Sequence, residues 1–130
     1  MSQSLKHTQK RILVVDDAAT VRMYHRSILE GAGFVVDEAI NGIEALEKAL
    51  TQPFDLYLVD VNMPKLDGYG FLRELRRQGI PQAPAVMIST EAQRQDRIRA
   101  YEAGANLYLI KPIKPQDLLT HCYLLLNLPA

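Results

Sequence analysis

Several features that would point to a particular class of protein are scarce or missing in this sequence. The chain of 130 residues contains a single cysteine, Cys122, so no disulfide can form within it, which fits a reducing compartment. No apolar run approaches the roughly 20 residues that a membrane-spanning helix needs. Residues 1–10 are polar and lack the apolar stretch of a signal peptide. We therefore expect a cytoplasmic protein that is not inserted in a membrane.

An excess of charge of one sign is missing too. Fifteen Lys and Arg residues balance fifteen Asp and Glu residues, which gives a formal net charge of zero. Such a chain does not attract nucleic acid through bulk electrostatics, so we expect no nucleic-acid partner. The 48% of apolar residues suffice for the core of one domain. We expect a monomer, with a flexible N-terminal tail over residues 1–9 and a domain over residues 10–130.

What is present is a regular alternation of two hydrophobic patterns. Short, fully apolar runs are typical of strands that are buried on both faces of a parallel sheet. They cover residues 12–15, 56–59, 85–88 and 107–110, with a weaker fifth candidate at 34–36. A helical pattern follows each run. Five alternating strand–helix units predict an α/β fold, a doubly wound parallel sheet with the flavodoxin-like (βα)5 strand order 2-1-3-4-5.

The helical patterns carry apolar stripes, and glycine or proline marks most of their ends. Tyr24 and Leu29 fall on one face of the first helical pattern. Ile98 and Tyr101 mark the fourth, which stops at Gly104. Such stripes are typical of helices that pack against a sheet.

Polar side chains follow four of the five predicted strands. Asp16 and Asp17 follow the first strand, Asp60 the third, Ser89 the fourth and Lys111 the fifth. Ligands of open parallel sheets bind beyond the carboxyl ends of the strands, where the strand order reverses. Each residue taken singly could be a helix cap or part of a turn. Their convergence at one edge of the sheet favours a functional site.

A cation is expected in this site because three carboxylates placed close together repel one another strongly. Oxygen ligands select a hard divalent ion, so Mg²⁺ or Mn²⁺ is predicted. Zinc is disfavoured, since none of the three histidines has ligand spacing with Cys122. One of them, His25, is interpreted as a surface or packing residue.

The predicted cation, the Lys111 ammonium and a hydroxyl group suit the oxygens of a phosphoryl group. Asp60 lies at the centre of the arrangement and can attack phosphorus directly, as carboxylate nucleophiles do when they form aspartyl phosphates. The acyl phosphate produced is labile, and the same site can admit a water molecule that hydrolyses it. The sequence therefore predicts a transient, reversible modification of Asp60.

These residues also match a known family. The motifs are the pair Asp16-Asp17, the run from Asp60 to Pro64 with Asp67-Gly68 after it, Ser89, Tyr108, and Lys111-Pro112. From about Lys10 to its C-terminus the chain resembles a response-regulator receiver domain, most closely the single-domain chemotaxis type (CheY-like). In combination these motifs are highly specific, whereas the Asp-Asp pair alone is weak.

The resemblance implies a role for each matching residue. Asp60 would be the phosphoacceptor and a metal ligand. Asp17 would bind Mg²⁺ directly, Asp16 through a water molecule, and Asn62 through its backbone carbonyl. Lys111 would pair with the phosphoryl group.

The resemblance also implies a switch. Ser89 would move toward a phosphoryl oxygen, and Tyr108 would swing inward into the space behind it. The bond between Lys111 and Pro112 would be a cis peptide. Asn62 and Glu91 flank the site where the family tunes phosphoryl lifetime; both resemble the fast-decaying chemotaxis type, so a short lifetime is expected.

The partners follow from the same resemblance. The phosphodonor would be a histidine kinase. The output surface would combine the fourth helix, the fifth strand and the fifth helix, and the fourth helix is expected to expose a basic face that carries Arg94, Arg97, Arg99 and Tyr101. Because the sequence contains no output domain of its own, we expect it to signal by binding a target protein.

Three alternatives stay open. The chain could be a phosphorelay carrier or a phosphate sink. A Mg²⁺-dependent phosphatase is less favoured, since Asn62 stands where such hydrolases need a second acid, so no enzyme activity on outside substrates is expected. A nucleotide-binding enzyme is weaker still, because no glycine-rich loop follows the first strand.

Overall fold

The computed structural model describes residues 10–129, so the flexible tail predicted for residues 1–9 lies outside the described residues. The strands are β1 Arg11–Val15, β2 Val35–Ala39, β3 Leu56–Asp60, β4 Ala85–Ser89 and β5 Leu107–Ile110. The helices are α1 Ala19–Gly31, α2 Gly42–Thr51, α3 Gly68–Arg77, α4 Arg94–Ala103 and α5 Pro115–Leu125. None of the helices in this described part of the chain is long and apolar enough to span a membrane.

The strands form one parallel sheet in the order β2-β1-β3-β4-β5, which confirms the predicted topology. The order reverses between β1 and β3, which pair with Val15 opposite Val59. All strands run in the same direction, so the carboxyl ends of β1, β3, β4 and β5 lie along one edge of the sheet. The residues that follow these strands are thereby brought together.

The core consists of two apolar layers, one on each face of the sheet. One layer contains Tyr57 and Phe71, and the other contains Ile12, Leu118 and Cys122. Neighbouring residues of a strand point to opposite faces, so the continuous apolar runs fill both layers. Burial raises the pKa of the Cys122 thiol to about 12, as befits a packed side chain and not a reactive one.

Helix α4 faces the sheet differently from what its apolar residues suggest. Ile98 and Tyr101 are 45% and 47% exposed, while Ala100 and Ala103 are buried. Small side chains allow the helix backbone to approach the sheet, and the larger ones are left on the solvent side. Tyr24 of α1 is also exposed. Tyr101 is thus exposed, as expected for the basic face of the fourth helix, and so are Arg94, Arg97 and Arg99. The interpretation of Ile98 and Tyr24 as part of a packed apolar stripe is wrong.

The start of α3 is packed closely against the end of β3. A Cβ atom added to Gly68 would lie 2.4 Å from the backbone oxygen of Asp60. The side chain of Asp67 caps the helix, since its Oδ1 accepts a hydrogen bond of 2.8 Å from the N–H of Gly70. Glycine at position 68 thus lets the helix begin directly beside Asp60.

Candidate functional site: an acidic pocket beside a lysine

Three carboxylates meet at the predicted edge of the sheet. Carboxylate oxygens of Asp16, Asp17 and Asp60 all lie within 4.8 Å of one another. Asp16 and Asp60 are buried, whereas Asp17 is exposed at the mouth of the pocket. At this spacing each ionised pair repels by roughly 3–4 kcal/mol for an effective dielectric constant of about 20.

This donor set fits a hard divalent cation. It consists only of carboxylate oxygens, which suit Mg²⁺ or Mn²⁺ better than zinc. One of the three ligands is solvent-exposed, which leaves room for the waters that Mg²⁺ retains. Asn62 follows Asp60 by two residues and is exposed.

Lys111 lies at the centre of the pocket. Its Nζ donates to Asp60 Oδ1 at 2.7 Å and to Asp16 Oδ2 at 3.3 Å. Burial of the ammonium opposes its charge, but the hydrogen bond to Asp60 and the charges of Asp60 and Asp16 raise the pKa of Lys111 above its ordinary value. Burial raises the pKa of Asp60; Lys111 opposes this rise, and the charges of Asp16 and Asp17 add to it.

Ser89 ends β4 beside this lysine. The backbone N–H of Lys111 donates a 2.8 Å hydrogen bond to the carbonyl oxygen of Ser89. The Ser89 side chain is fully buried, and its Oγ accepts a 3.0 Å hydrogen bond from the N–H of Glu91. The hydroxyl is therefore engaged by the loop between β4 and α4.

Tyr108 of β5 is bound to the same loop. Its ring is buried, and its hydroxyl donates to the carbonyl oxygen of Glu91 at 2.8 Å. The guanidinium of Arg97 lies over the ring, 5.6 Å from its centroid. Tyr108 thus contacts both the loop before α4 and the helix itself.

The Lys111–Pro112 peptide bond is cis, the geometry that the resemblance implied.

A small cavity opens next to Lys111, and His25 lines it. The cavity measures about 220 Å³ and lies between α1 and the segment after β5. His25 is buried, and within residues 10–129 its Nδ1 has no hydrogen-bond partner, so of the two interpretations only the packing one is correct. Burial lowers the pKa of His25 below its ordinary value, which favours the neutral imidazole.

The simple explanation of the acidic pair as helix caps does not hold. Helix α1 has Ala18 as its N-cap, without a side-chain cap. Asp16 Oδ1 accepts from the N–H of Ala18 at 2.9 Å, a local turn that points the second carboxylate oxygen of Asp16 to Lys111. Both acidic residues are thus left with oxygens that face the pocket.

Sequence reasoning missed Arg22, which contacts the segment after β1, and Glu38, which pairs with Arg22. Arg22 donates to the carbonyl oxygen of Asp16, and Glu38 accepts from Arg22. Arg22 and Glu38 are 16 positions apart in the chain, and an arginine on a helix does not by itself indicate a partner on a distant strand. The one indication in the sequence is a basic residue, Arg22, on the helical pattern that follows the Asp-Asp pair.

Comparison with known proteins agrees with this geometry. The sequence model of the response regulator receiver domain family matches residues 12–123. This chain belongs to that family. Receiver domains act in two-component signal transduction, where they are phosphorylated and bind Mg²⁺ at an acidic cluster.

Several relatives are clearly similar. The transcriptional regulatory protein ResD of Bacillus subtilis is 36% identical over 119 residues, which cover 92% of this chain and 49% of ResD. The chain thus spans about half the length of this relative. The structure of the chemotaxis protein CheY4 of Vibrio cholerae matches with a TM-score of 0.84 and 33% identity, over 89% of this chain and 98% of that one.

A third relative carries a metal. The receiver domain of the sensor histidine kinase PA1611 of Pseudomonas aeruginosa matches with a TM-score of 0.85 and 31% identity, over 91% of this chain and 98% of that one. It was solved with a magnesium ion coordinated in its active-site cleft. The relatives therefore include regulators, a chemotaxis protein and part of a kinase.

Proposed function

We propose that this chain is a phosphorylation-dependent switch, in which Asp60 accepts a phosphoryl group from a phosphohistidine of a histidine kinase. The switch then alters the surface formed by α4, β5 and α5, which binds a target protein. The observation that carries the proposal is the position of Asp60. Its carboxylate lies 2.7 Å from Lys111 Nζ and within 4.8 Å of the Asp16 and Asp17 carboxylates.

The chemistry follows from these contacts. A carboxylate oxygen of Asp60 forms a bond to phosphorus while the bond between phosphorus and the imidazole nitrogen of the donor breaks, and that nitrogen keeps the electron pair. A divalent cation held by Asp16, Asp17 and Asp60 would offset charge on the phosphoryl oxygens. Lys111 transfers its hydrogen bond from Asp60 to a phosphoryl oxygen, where the ammonium offsets negative charge.

The output step depends on Glu91. When Ser89 turns its hydroxyl to the phosphoryl group, the N–H of Glu91 loses its acceptor. The carbonyl oxygen of the same residue accepts a hydrogen bond from the Tyr108 hydroxyl, so a shift of Glu91 displaces Tyr108. Because the guanidinium of Arg97 lies over the Tyr108 ring, the displacement also changes this contact with α4. The exposed Ile98 and Tyr101 of α4 then offer apolar contact area to a target.

The first experiment is labelling with acetyl phosphate and Mg²⁺, followed by measurement of the intact mass. The wild type should gain one phosphoryl group that is lost on standing, and Asp60→Asn should gain none. Asp117→Asn, an exposed carboxylate of α5, is the matched control and should be labelled like the wild type. A folded wild type that takes up no phosphoryl group would overturn the proposal.

The lifetime of the modification is a separate expectation. Asn62 and Glu91 resemble the residues at these positions in fast-decaying receivers of the chemotaxis type, so we expect a short lifetime. Loss of the phosphoryl group followed by mass over time tests this. Persistence for hours would refute a short lifetime and leave the acceptor role intact.

The finer assignment is a chemotaxis-type regulator, which the similarity to CheY4 supports. The alternative is a phosphorelay carrier or phosphate sink. Transfer of label from a kinase through this chain to a second histidine protein separates the two. Transfer onward favours the carrier, and phospho-dependent binding of a target without transfer favours the switch.

A further inference from the structure

We infer that Arg22 is a positioning residue of the acidic pocket: held by Glu38, it ties down the backbone of Asp16 and thereby sets where Asp16 and Asp17 present their carboxylates. This inference rests on the proposed metal-dependent function. It concerns two residues that are not expected to touch either the metal or the phosphoryl group.

The geometry consists of one guanidinium that bridges two elements. Arg22 Nη1 donates to the carbonyl oxygen of Asp16 at 2.8 Å. Arg22 Nε donates to Glu38 Oε1 of β2 at 2.5 Å. The Arg22 side chain is only 14% exposed, so water competes little for either bond. The planar fork of an arginine is suited to two acceptors with fixed directions.

The segment that carries Asp16 and Asp17 requires an external hydrogen bond of this kind to hold its position. It connects β1 to α1 without a side-chain cap at Ala18. Mutual repulsion of the three carboxylates favours an outward movement of this segment. The backbone N–H of Asp16 is held by Ala39 at 3.0 Å, and its carbonyl is held by Arg22, so the peptide groups on both sides of Asp16 are bound to β2, directly or through Glu38.

Arg22 affects the acidic pocket by holding the backbone of Asp16 in place more than by adding positive charge. Glu38 neutralises it, so the arginine adds little net positive charge to the pocket. Glu38 also accepts a hydrogen bond from Arg26, and the bonds from Arg26 and Arg22 lower the pKa of Glu38. Partners of this kind, one step removed from the ligands, typically change metal affinity 10- to 100-fold when they are removed.

Arg26 provides the matched control. It pairs with the same Glu38 and with Glu30, but within residues 10–129 it makes no hydrogen bond to Asp16. Arg22→Gln and Arg26→Gln each remove one positive charge and one bond to Glu38. Only the first removes the bond to the pocket.

The experiment compares these variants of the full chain in two measurements. Titration with Mg²⁺ by calorimetry should give a dissociation constant about tenfold higher for Arg22→Gln and within about twofold of wild type for Arg26→Gln. Hydrogen exchange without metal should be faster at the N–H of Asp16 in Arg22→Gln only. Unchanged affinity and exchange in a folded Arg22→Gln would overturn the inference.

A second variant tests the inference in case Arg22→Gln fails to fold. Glu38→Gln keeps an acceptor for Arg22 but removes the charge that orients it, so affinity for Mg²⁺ should fall severalfold. Equal affinities of Glu38→Gln and wild type would also overturn the inference. Failure of the wild type to accept a phosphoryl group would instead contradict the proposed function and leave the effect on Mg²⁺ affinity standing.

Discussion

The hydroxyl of Tyr108 donates a 2.8 Å hydrogen bond to the backbone carbonyl of Glu91. The N–H of the same residue donates to Ser89 Oγ at 3.0 Å. One residue of the loop between β4 and α4 therefore connects the Ser89 hydroxyl, at the end of β4, with the aromatic ring of Tyr108. This arrangement gives a physical route from phosphorylation to the output surface.

Ser89→Ala should release this loop without phosphorylation. The N–H of Glu91 loses its acceptor, and a hydrogen bond of this kind contributes about 1 kcal/mol. We expect exchange of the Glu91 amide hydrogen to be several times faster, measured by NMR. Thr90→Ala removes the neighbouring exposed hydroxyl and should leave the rate unchanged. Equal rates in Ser89→Ala and wild type would show that this bond does not hold the loop.

Lys111→Gln should raise the pKa of Asp60 further. Burial already raises this pKa above its ordinary value, and the lysine charge opposes the rise. Because the folded state binds this proton more tightly, Asp60 stabilises the fold at low pH, and its contribution is lost as the pH rises through the raised pKa. Carboxyl NMR titration of the metal-free protein measures the shift. Lys114→Gln, an exposed neighbour, is the control, and no shift in Lys111→Gln would argue against the contact.

Gly68→Ala should destabilise the protein. Its Cβ would lie 2.4 Å from the carbonyl oxygen of Asp60, so α3 must move away from the end of β3. We expect the free energy of unfolding to fall by about 1–3 kcal/mol, with slower labelling of Asp60. Denaturation with urea measures the first quantity. Gly31→Ala, where a Cβ meets open space, should be neutral or stabilising by up to about 1 kcal/mol.

His25→Phe should flatten the dependence of stability on pH. Burial lowers the pKa of His25 below its unfolded value of 6.5, so the unfolded chain binds the proton more readily. Stability therefore falls as the pH drops below 6.5, by at most about 1.4 kcal/mol per pH unit for one group. Urea denaturation between about pH 5 and 7 tests this for wild type and variant. A wild-type slope in a folded His25→Phe would contradict this prediction.

Much of the fold could be predicted because buried parallel strands carry a signal of their own. The apolar runs placed β1, β3, β4 and β5 to within a residue or two, and the alternation with helices led to the observed strand order. The site followed from the topology, since residues after neighbouring parallel strands must meet. The topology therefore predicts that Asp16, Asp60 and Lys111 lie together, and the hydrogen bonds of Lys111 to both carboxylates confirm this.

Other features could not be predicted in this way. The apolar pattern of α4 wrongly indicates that Ile98 is packed, because the side chain is apolar, while the alanines that pack on the sheet give a weak signal. The burial of His25 was undetermined for a similar reason, since a histidine on a helix is compatible with either side. The bond between Arg22 and Glu38 depends on how α1 lies across β2, which no local pattern encodes.

The sequence by itself determined the order of the elements and the chemical groups at the strand ends, because hydrophobic periodicity and the residues that directly follow each strand are local properties of the chain. Only the tertiary structure decided which side of each helix is buried and which side chains support the acidic pocket from outside. Those contacts arise from the packing of helices on a twisted sheet, which brings together residues that are far apart along the chain.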